Sequence, residues 1–401
     1  MHIESDATAL KPRCGQLLAS PFRLFFLLAA VYAVLLLLGW LGFLFANWPL
    51  PLGFSPFKWH SHEMLYGFVG AAIAGFLLTA LANWTNTSPL QGTPLAALGL
   101  CWLAGRTSFW ALGVLPPWLS ALGDLSFWVF LLVFVTRTLL TTGNKRNLPI
   151  AGIIGLLTLG NGVMHWGFIT GNTGALLLGQ NMALGLITLL MAIIGGRIIP
   201  LFSRNWFSKI GGPAQAVTQN PLLDKLAILS LLLLLLISAL PVPPVLVAAS
   251  ALAAAIANTA RLYLWRGWLT LREPLLWSLH LGYAWLVLSL WLRGLSVLMA
   301  FNDSLWQHTL AVGAMGTLIL AVMTRVAVGH TGRPLVLLPG GLYIYLAITG
   351  AALLRLLVAT GSLPFVPGLM ASGLCWLIAF GLFVILYTPV LTAPRVDGRP
   401  G

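Results

Sequence analysis

The amino-acid sequence predicts an all-α polytopic membrane protein, and three observations carry the prediction. Of 401 residues, 59% are apolar and only 7% charged, where an ordinary soluble domain carries about a quarter charged residues. Apolar runs of roughly 20 residues, each long enough to cross about 30 Å of hydrocarbon, recur along nearly the whole chain. The runs are continuous Leu, Ala, Val and Gly rather than alternating at period two, which argues against a β-barrel.

Twelve spans fit, forming one domain over 1–401. The first, 22–46, follows a polar segment with Lys11 and Arg13 that lacks the apolar core and cleavage site of a removable signal peptide, so it is expected to stay as an anchor. The second, 60–83, opens on Lys58-Trp59-His60-Ser61-His62-Glu63; the third, 93–113, carries Arg106; the fourth, 118–140, carries Asp124 and ends at Arg137. Lys145 and Arg146 precede the fifth, 148–170, which holds His165. The sixth, 174–199, reaches Arg197 and leads into the longest cytoplasmic loop, 200–220, with Arg204 and Lys209. The seventh, 221–240, and the eighth, 243–263, are closely spaced; Arg261, Arg266 and Arg272 separate them from the ninth, 274–298, which carries His280 and Arg293. The tenth, 305–328, runs from His308 to Arg325, and the eleventh, 340–360, and twelfth, 364–388, lead into a tail, 389–401, with Arg395 and Arg399.

With the N-terminus inside, residues 1–21 form a cytoplasmic tail, and only Lys58, Arg106, Arg293 and Arg355 are left toward the outside, so the positive-inside rule puts both termini in the cytoplasm. The net charge of +13 is therefore explained by topology rather than by nucleic acid, because the basic residues sit between spans instead of on one arm. Cys14, Cys101 and Cys375 are isolated, and without C-x-x-C-H no covalent haem is expected.

An internal repeat emerges when three spans are overlaid. His62-x4-Gly67-x2-Gly70 in the second matches His308-x4-Gly313-x2-Gly316 in the tenth, and both continue to a Thr…Pro-Leu, at Thr85…Pro89-Leu90 and Thr331…Pro334-Leu335. In the sixth, Gln180-x4-Gly185 reaches Arg197 as Gly313 reaches Arg325. Four spans separate each pair, which predicts three four-helix units around a pseudo-threefold axis, with small residues letting the helices approach closely.

Ionisable groups inside a bilayer are expensive and mark function. His60 and His62 are two residues apart, so on a helix their side chains diverge by roughly 200° and serve different groups. Tyr66 shares the His62 face, where it can orient the ring or carry a proton, and Glu63 and Asp124 are the acidic groups available for proton delivery. His60, His62, His165 and His308 fall in the outer third of the membrane, while His280 and His330 lie toward the inner side; His308 and His330, roughly 33 Å apart along a helix, cannot share a ligand. Arg106, Arg293 and Arg355 suit either a cofactor carboxylate such as a haem propionate or snorkelling to headgroups. A site rich in histidine and free of cysteine suits haem iron, copper or zinc, and neutral imidazole in an apolar shell is the usual setting of a b-type haem.

The stretches Trp59-His60-Ser61-His62-Glu63-Met64-Leu65-Tyr66-Gly67-Phe68, Gly196-Arg197-Ile198-Ile199-Pro200-Leu201-Phe202-Ser203-Arg204-Asn205 and Gly329-His330-Thr331-Gly332-Arg333-Pro334-Leu335 resemble the NnrS family of bacterial inner-membrane proteins across essentially the whole chain. The resemblance implies twelve spans, haem b, copper as a further metal, and nitric oxide as the small molecule, in denitrification and nitrosative stress. It leaves open which histidine binds which metal. The three arcs of helices are similar to the catalytic subunit of haem-copper oxidases, although the adjacent His pair of a copper site in that superfamily is absent.

The leading expectation is an oxidoreductase that reduces nitric oxide to nitrous oxide with electrons from quinol. His62 and His308 would be axial or active-site ligands, His60 would turn to a second group, Glu63 and Tyr66 would handle protons, and His280, His165 and His330 are further ligand candidates. The alternative is a non-enzymatic haem or copper protein that senses or sequesters nitric oxide, protects cellular iron, or transports metal.

Overall fold

A computed structural model describes residues 14–50 and 55–399; Lys11, Arg13 and the final two residues of the expected cytoplasmic tails lie outside it. Among the described residues there is no strand, and twelve long helices succeed one another. They are α1 Pro21–Ala46, α2 Pro56–Thr85, α3 Thr93–Trp110, α4 Pro117–Thr141, α5 Leu148–Thr170 and α6 Thr173–Ile210. Then come α7 Pro221–Ser238, α8 Pro244–Leu264, α9 Pro274–Met299, α10 Asp303–Gly329, α11 Gly341–Ala359 and α12 Phe365–Thr392. Eleven of these are long and apolar enough to cross a membrane. The exception is α3, whose 18 residues include Arg106, Thr107 and Ser108.

Local chemistry sets the boundaries. Proline opens α1, α2, α4, α7, α8 and α9, a position where its missing N–H breaks no intrahelical bond and its fixed φ is already helical. Asn47, Asn86 and Gly171 end α1, α2 and α5 in the left-handed region, which frees the chain to turn. The sixth helix runs past its expected end at 199 and takes in half of the predicted loop, although Pro200 lies inside it. Proline cannot donate to the carbonyl four residues back, and here that carbonyl, on Gly196, accepts instead from Gln219 Nε2 at 3.1 Å. The same glycine has no Cβ where the Arg261 guanidinium passes.

Each helix packs against the next, and α12 returns to α1. The closure is polar as well as apolar: buried Arg23 at the start of α1 donates from Nη1 to the carbonyls of Leu391 and Ala393, both at 2.7 Å, at the end of α12. The start of α1 and the end of α12 therefore meet at one end of the bundle, where Arg395 also donates to the His330 carbonyl. Outward faces are apolar, as in α7, which exposes Leu222, Leu226, Leu229, Leu233 and Leu236; a stripe of that kind is stable against lipid and costly against water.

Helices α2, α6 and α10, with Phe26 and Leu279, surround a wholly apolar cavity of about 100 Å³. Two of the three share a local distortion. A π-helical stretch follows the histidine in each, Glu63–Phe68 after His62 and Thr309–Gly316 after His308, and such bulges recur at functional sites.

Adding a methyl at Gly196 forces Arg261 away from the Ala192 carbonyl and the Tyr283 hydroxyl it now reaches. Gly196→Ala is expected to cost about 1–3 kcal/mol by overpacking, measured as a lower melting temperature in detergent. Gly152→Ala, where a Cβ meets nothing within 4 Å, should stay within about 1 kcal/mol of wild type.

Candidate functional site

The His60-Ser61-His62 segment of α2 faces two ways, as its helical offset requires. On one side, His62 enters a polar cluster buried between α1, α2, α3, α4 and α5. Its Nδ1 lies 3.0 Å from Glu63 Oε1, and its Nε2 lies 2.8 Å from Asn161 Oδ1 and 3.3 Å from Asp124 Oδ2. His165 Nε2 reaches the same Asp124 oxygen at 2.9 Å, and Asn161 Nδ2 donates to it at 2.7 Å. Phe109 stacks on the His62 ring with centroids 3.9 Å apart.

Arg106 bridges the two carboxylates, donating to Glu63 and to Asp124. Tyr32 donates its hydroxyl to Glu63 and accepts from Trp110 Nε1 at 3.0 Å. Glycines make the approach possible: a Cβ on Gly67 would overlap Arg106, and one on Gly105 would sit 2.8 Å from the Asp124 backbone. Two carboxylates thus face one guanidinium, all three buried from solvent, where an unpaired charge costs several kcal/mol.

On the other side of α2, His60 lies against a separate cavity of about 140 Å³ bounded by α1, α2, α6, α10, α11 and α12. Trp40 stacks on its ring at 4.3 Å and 17°, and its Nδ1 is buried without a hydrogen-bond partner among the described residues. His308 and Arg355 line the same cavity. His308 Nδ1 is 2.8 Å from the Ser304 carbonyl, so it carries the proton, and its Nε2 lone pair is turned toward Arg355 Nη2 at 3.3 Å. A backbone carbonyl that holds the proton on one ring nitrogen and leaves a lone pair on the other is the usual preparation of a metal-binding histidine, and here Arg355 occupies that lone pair.

The histidines that share a cavity are therefore His60 and His308, whereas the sequence repeat pairs His62 with His308. Equivalent positions in a repeat occupy different surroundings here, because His62 is drawn into the α3–α5 acids. Arg106, expected as a partner of a cofactor carboxylate, is spent on two carboxylates of the chain itself. Arg293 stands over the Trp306 ring at 4.5 Å and donates to Ser238 Oγ, away from both histidine sites; Arg355 alone of the three outer arginines faces the His60 cavity. Tyr66 is fully buried and its hydroxyl donates to the Gly179 carbonyl at 2.8 Å, which ties α2 to α6. His280 bonds Ser203 Oγ at 3.0 Å. His330, just past the end of α10, packs on Phe22; burial, and then the Arg395 charge, lower its affinity for a proton.

Asn161, Tyr32 and Ser304 were not singled out in sequence. Asn161 was findable, since it stands four residues before His165 and shares its helical face. Tyr32, on the first helix, offers no such signal.

A family model described as NnrS protein matches residues 16–395, nearly the whole chain. Among curated proteins none matches.

Removing the shared cation tests the cluster. Arg106→Leu leaves Glu63 and Asp124 facing each other and is expected to destabilise the fold by about 3–5 kcal/mol, read as poor accumulation and early melting. Adding Glu63→Gln should recover part of the loss, and a single variant that melts like wild type would show that the guanidinium does not hold the acids.

Proposed function

The chain belongs to the NnrS family, and on that premise we propose that it is a bacterial inner-membrane metalloprotein that binds nitric oxide between His60 and His308 and reduces it to nitrous oxide. The observation that carries this reading is that His60 and His308 line one cavity, His308 with its proton on Nδ1 and its Nε2 lone pair met only by the Arg355 guanidinium, and that the Val69 and Met315 walls of this cavity also bound the wholly apolar cavity at the bundle centre. A neutral diatomic gas partitions readily into lipid and into such apolar space.

Both termini are read as cytoplasmic, because the start of α1 and the end of α12 meet at one end, where Arg23, Arg333 and Arg395 lie near one another. Counting α3 as a twelfth span follows from its interior cation: Arg106 lowers the apolarity of the helix but is paired inside the bundle. A threefold pseudo-repeat draws support from α2, α6 and α10 around one cavity and from the π-helical stretch after His62 and His308.

For haem b the donor set fits: two imidazoles, apolar walls and a guanidinium in Arg355 for a propionate. The volume fits less simply. At about 140 Å³ the cavity is below the roughly 300–1,000 Å³ of pockets that enclose organic ligands, so a porphyrin requires the flexible Met64 and Met315 side chains to move aside. A copper ion, the second metal of this reading, needs no such opening. When bound, the metal would supply a redox-active site that holds nitric oxide and passes it the electrons of the quinol. Overall, two nitric oxide molecules and one quinol give nitrous oxide, water and quinone; an N–N bond forms, one N–O bond breaks, and the quinol provides both electrons and both protons. Glu63, one residue before the wall residue Met64 but turned into the cluster and held there by Tyr32 and Arg106, keeps a proton-binding group on the far side of α2. Tyr66 positions α2 against α6.

Haem and copper content of the purified protein, with nitric oxide consumption under added quinol, tests the reading. His60→Ala and His308→Ala should each lose the cofactor and at least tenfold of the consumption, while His280→Ala keeps both. Loaded protein that leaves nitric oxide unconsumed under quinol overturns reduction; a nitric oxide-induced spectral shift without consumption points to sensing or sequestration. Retention of cofactor in both variants overturns the site.

A further inference from the structure

We propose that His62, His165 and Asp124 form a second metal site, separate from the His60 cavity and suited to a small divalent transition ion bound by two imidazole nitrogens and a carboxylate oxygen. One ligand-type atom from each of the three lies within 4.8 Å of the others, and all three residues are buried.

Three features of the cluster call for a cation rather than a closed hydrogen-bond network. The first is a donor shortage at His62. Its Nδ1 faces a Glu63 oxygen while its Nε2 faces the Asn161 carbonyl oxygen and Asp124 Oδ2, but a neutral imidazole carries only one N–H. Whichever nitrogen holds the proton, the other presents a lone pair to an oxygen lone pair. Turning the Asn161 amide over does not help, because its Nδ2 is what donates to Asp124 Oδ2. The second is charge: Glu63 and Asp124 share the single Arg106 guanidinium, so the buried cluster is short of positive charge. A divalent ion makes up the shortage and leaves room for one anionic ligand on an open position.

The third feature is spacing. Metal–nitrogen and metal–oxygen bonds of about 2.0–2.2 Å set neighbouring ligand atoms about 2.8–3.6 Å apart in tetrahedral or octahedral geometry. The two edges to Asp124 Oδ2, 2.9 Å from His165 Nε2 and 3.3 Å from His62 Nε2, fall in that range, and the two imidazoles stay within 4.8 Å of each other. Around the site the supporting shell is already built. With a metal on Nε2, His62 Nδ1–H donates to Glu63, the carboxylate–histidine–metal arrangement that orients a ligand ring, and Arg106 and Tyr32 fix that carboxylate in turn. The donors are nitrogen and oxygen with no thiolate or thioether, which favours Zn(II), Co(II) or Fe(II) over Cu(I).

The ion is tested with Co(II), whose visible bands report its ligands. Full-length protein, purified in detergent and stripped with chelator, should take up one Co(II) per chain. His165→Gln should weaken uptake at least tenfold, and Glu63→Gln, which removes only the supporting carboxylate, about 10–100-fold. His308→Ala should bind as wild type, so loss of the His60 cavity and loss of this site give different results. X-ray absorption of the Co(II)-loaded wild type should show two imidazoles with oxygen ligands and no sulfur, a readout that stands even where a variant fails to fold. No uptake, uptake indifferent to His165→Gln, or a cobalt shell without imidazole overturns the proposal and leaves an extra proton as the missing charge.

Discussion

The constraint on which the N-terminal half depends is one guanidinium between two carboxylates, all buried from solvent. Arg106 comes from α3, Glu63 from α2 and Asp124 from α4, and the hydroxyl of Tyr32 from α1 completes the set. Four helices are thereby fixed in register by directional bonds rather than by apolar contact, which in lipid has little power to discriminate one packing from another. Asn161 and His165 add α5 through the same Asp124 oxygen. The cluster accounts for the low apolarity of α3, which carries its cation inward to pay a debt on its neighbours.

From that anchoring follows the division of labour on α2. Because His62 is held among the acids, His60 is turned the opposite way, toward α10 and α12, where His308 and Arg355 wait. A single helix thus serves as the partition between a dense polar cluster and an apolar chamber. The two sides differ in kind: one offers carboxylate and imidazole at ligand spacing and almost no free volume, while the other offers imidazoles, one guanidinium and space.

Much of this was legible in the chain. The apolar runs located the helices to within a few residues, since hydrocarbon thickness fixes their length, and the helical angle between His60 and His62 foretold two destinations. The repeat of His62-x4-Gly67 at His308 marked the helices that now surround the central cavity. What the sequence could not carry was partnership across helices. His62 and His308 look alike in one dimension, yet the acids that capture His62 come from α4 and from its own next residue. Arg106 resembled a cofactor clamp for the same reason, because its two carboxylates lie 43 and 18 residues away. The overrun of α6 past Pro200 depended on a side chain, Gln219, that belongs to the following loop.

The contact that closes the ring joins residues 368 and 370 positions apart, Arg23 with the carbonyls of Leu391 and Ala393. During synthesis the first helix therefore gains these two contacts only after the last helix has been made. Because the start of α1 lies beside the end of α12, the two helices could be linked there and the ring opened at another loop, with the order of helices around the circle unchanged.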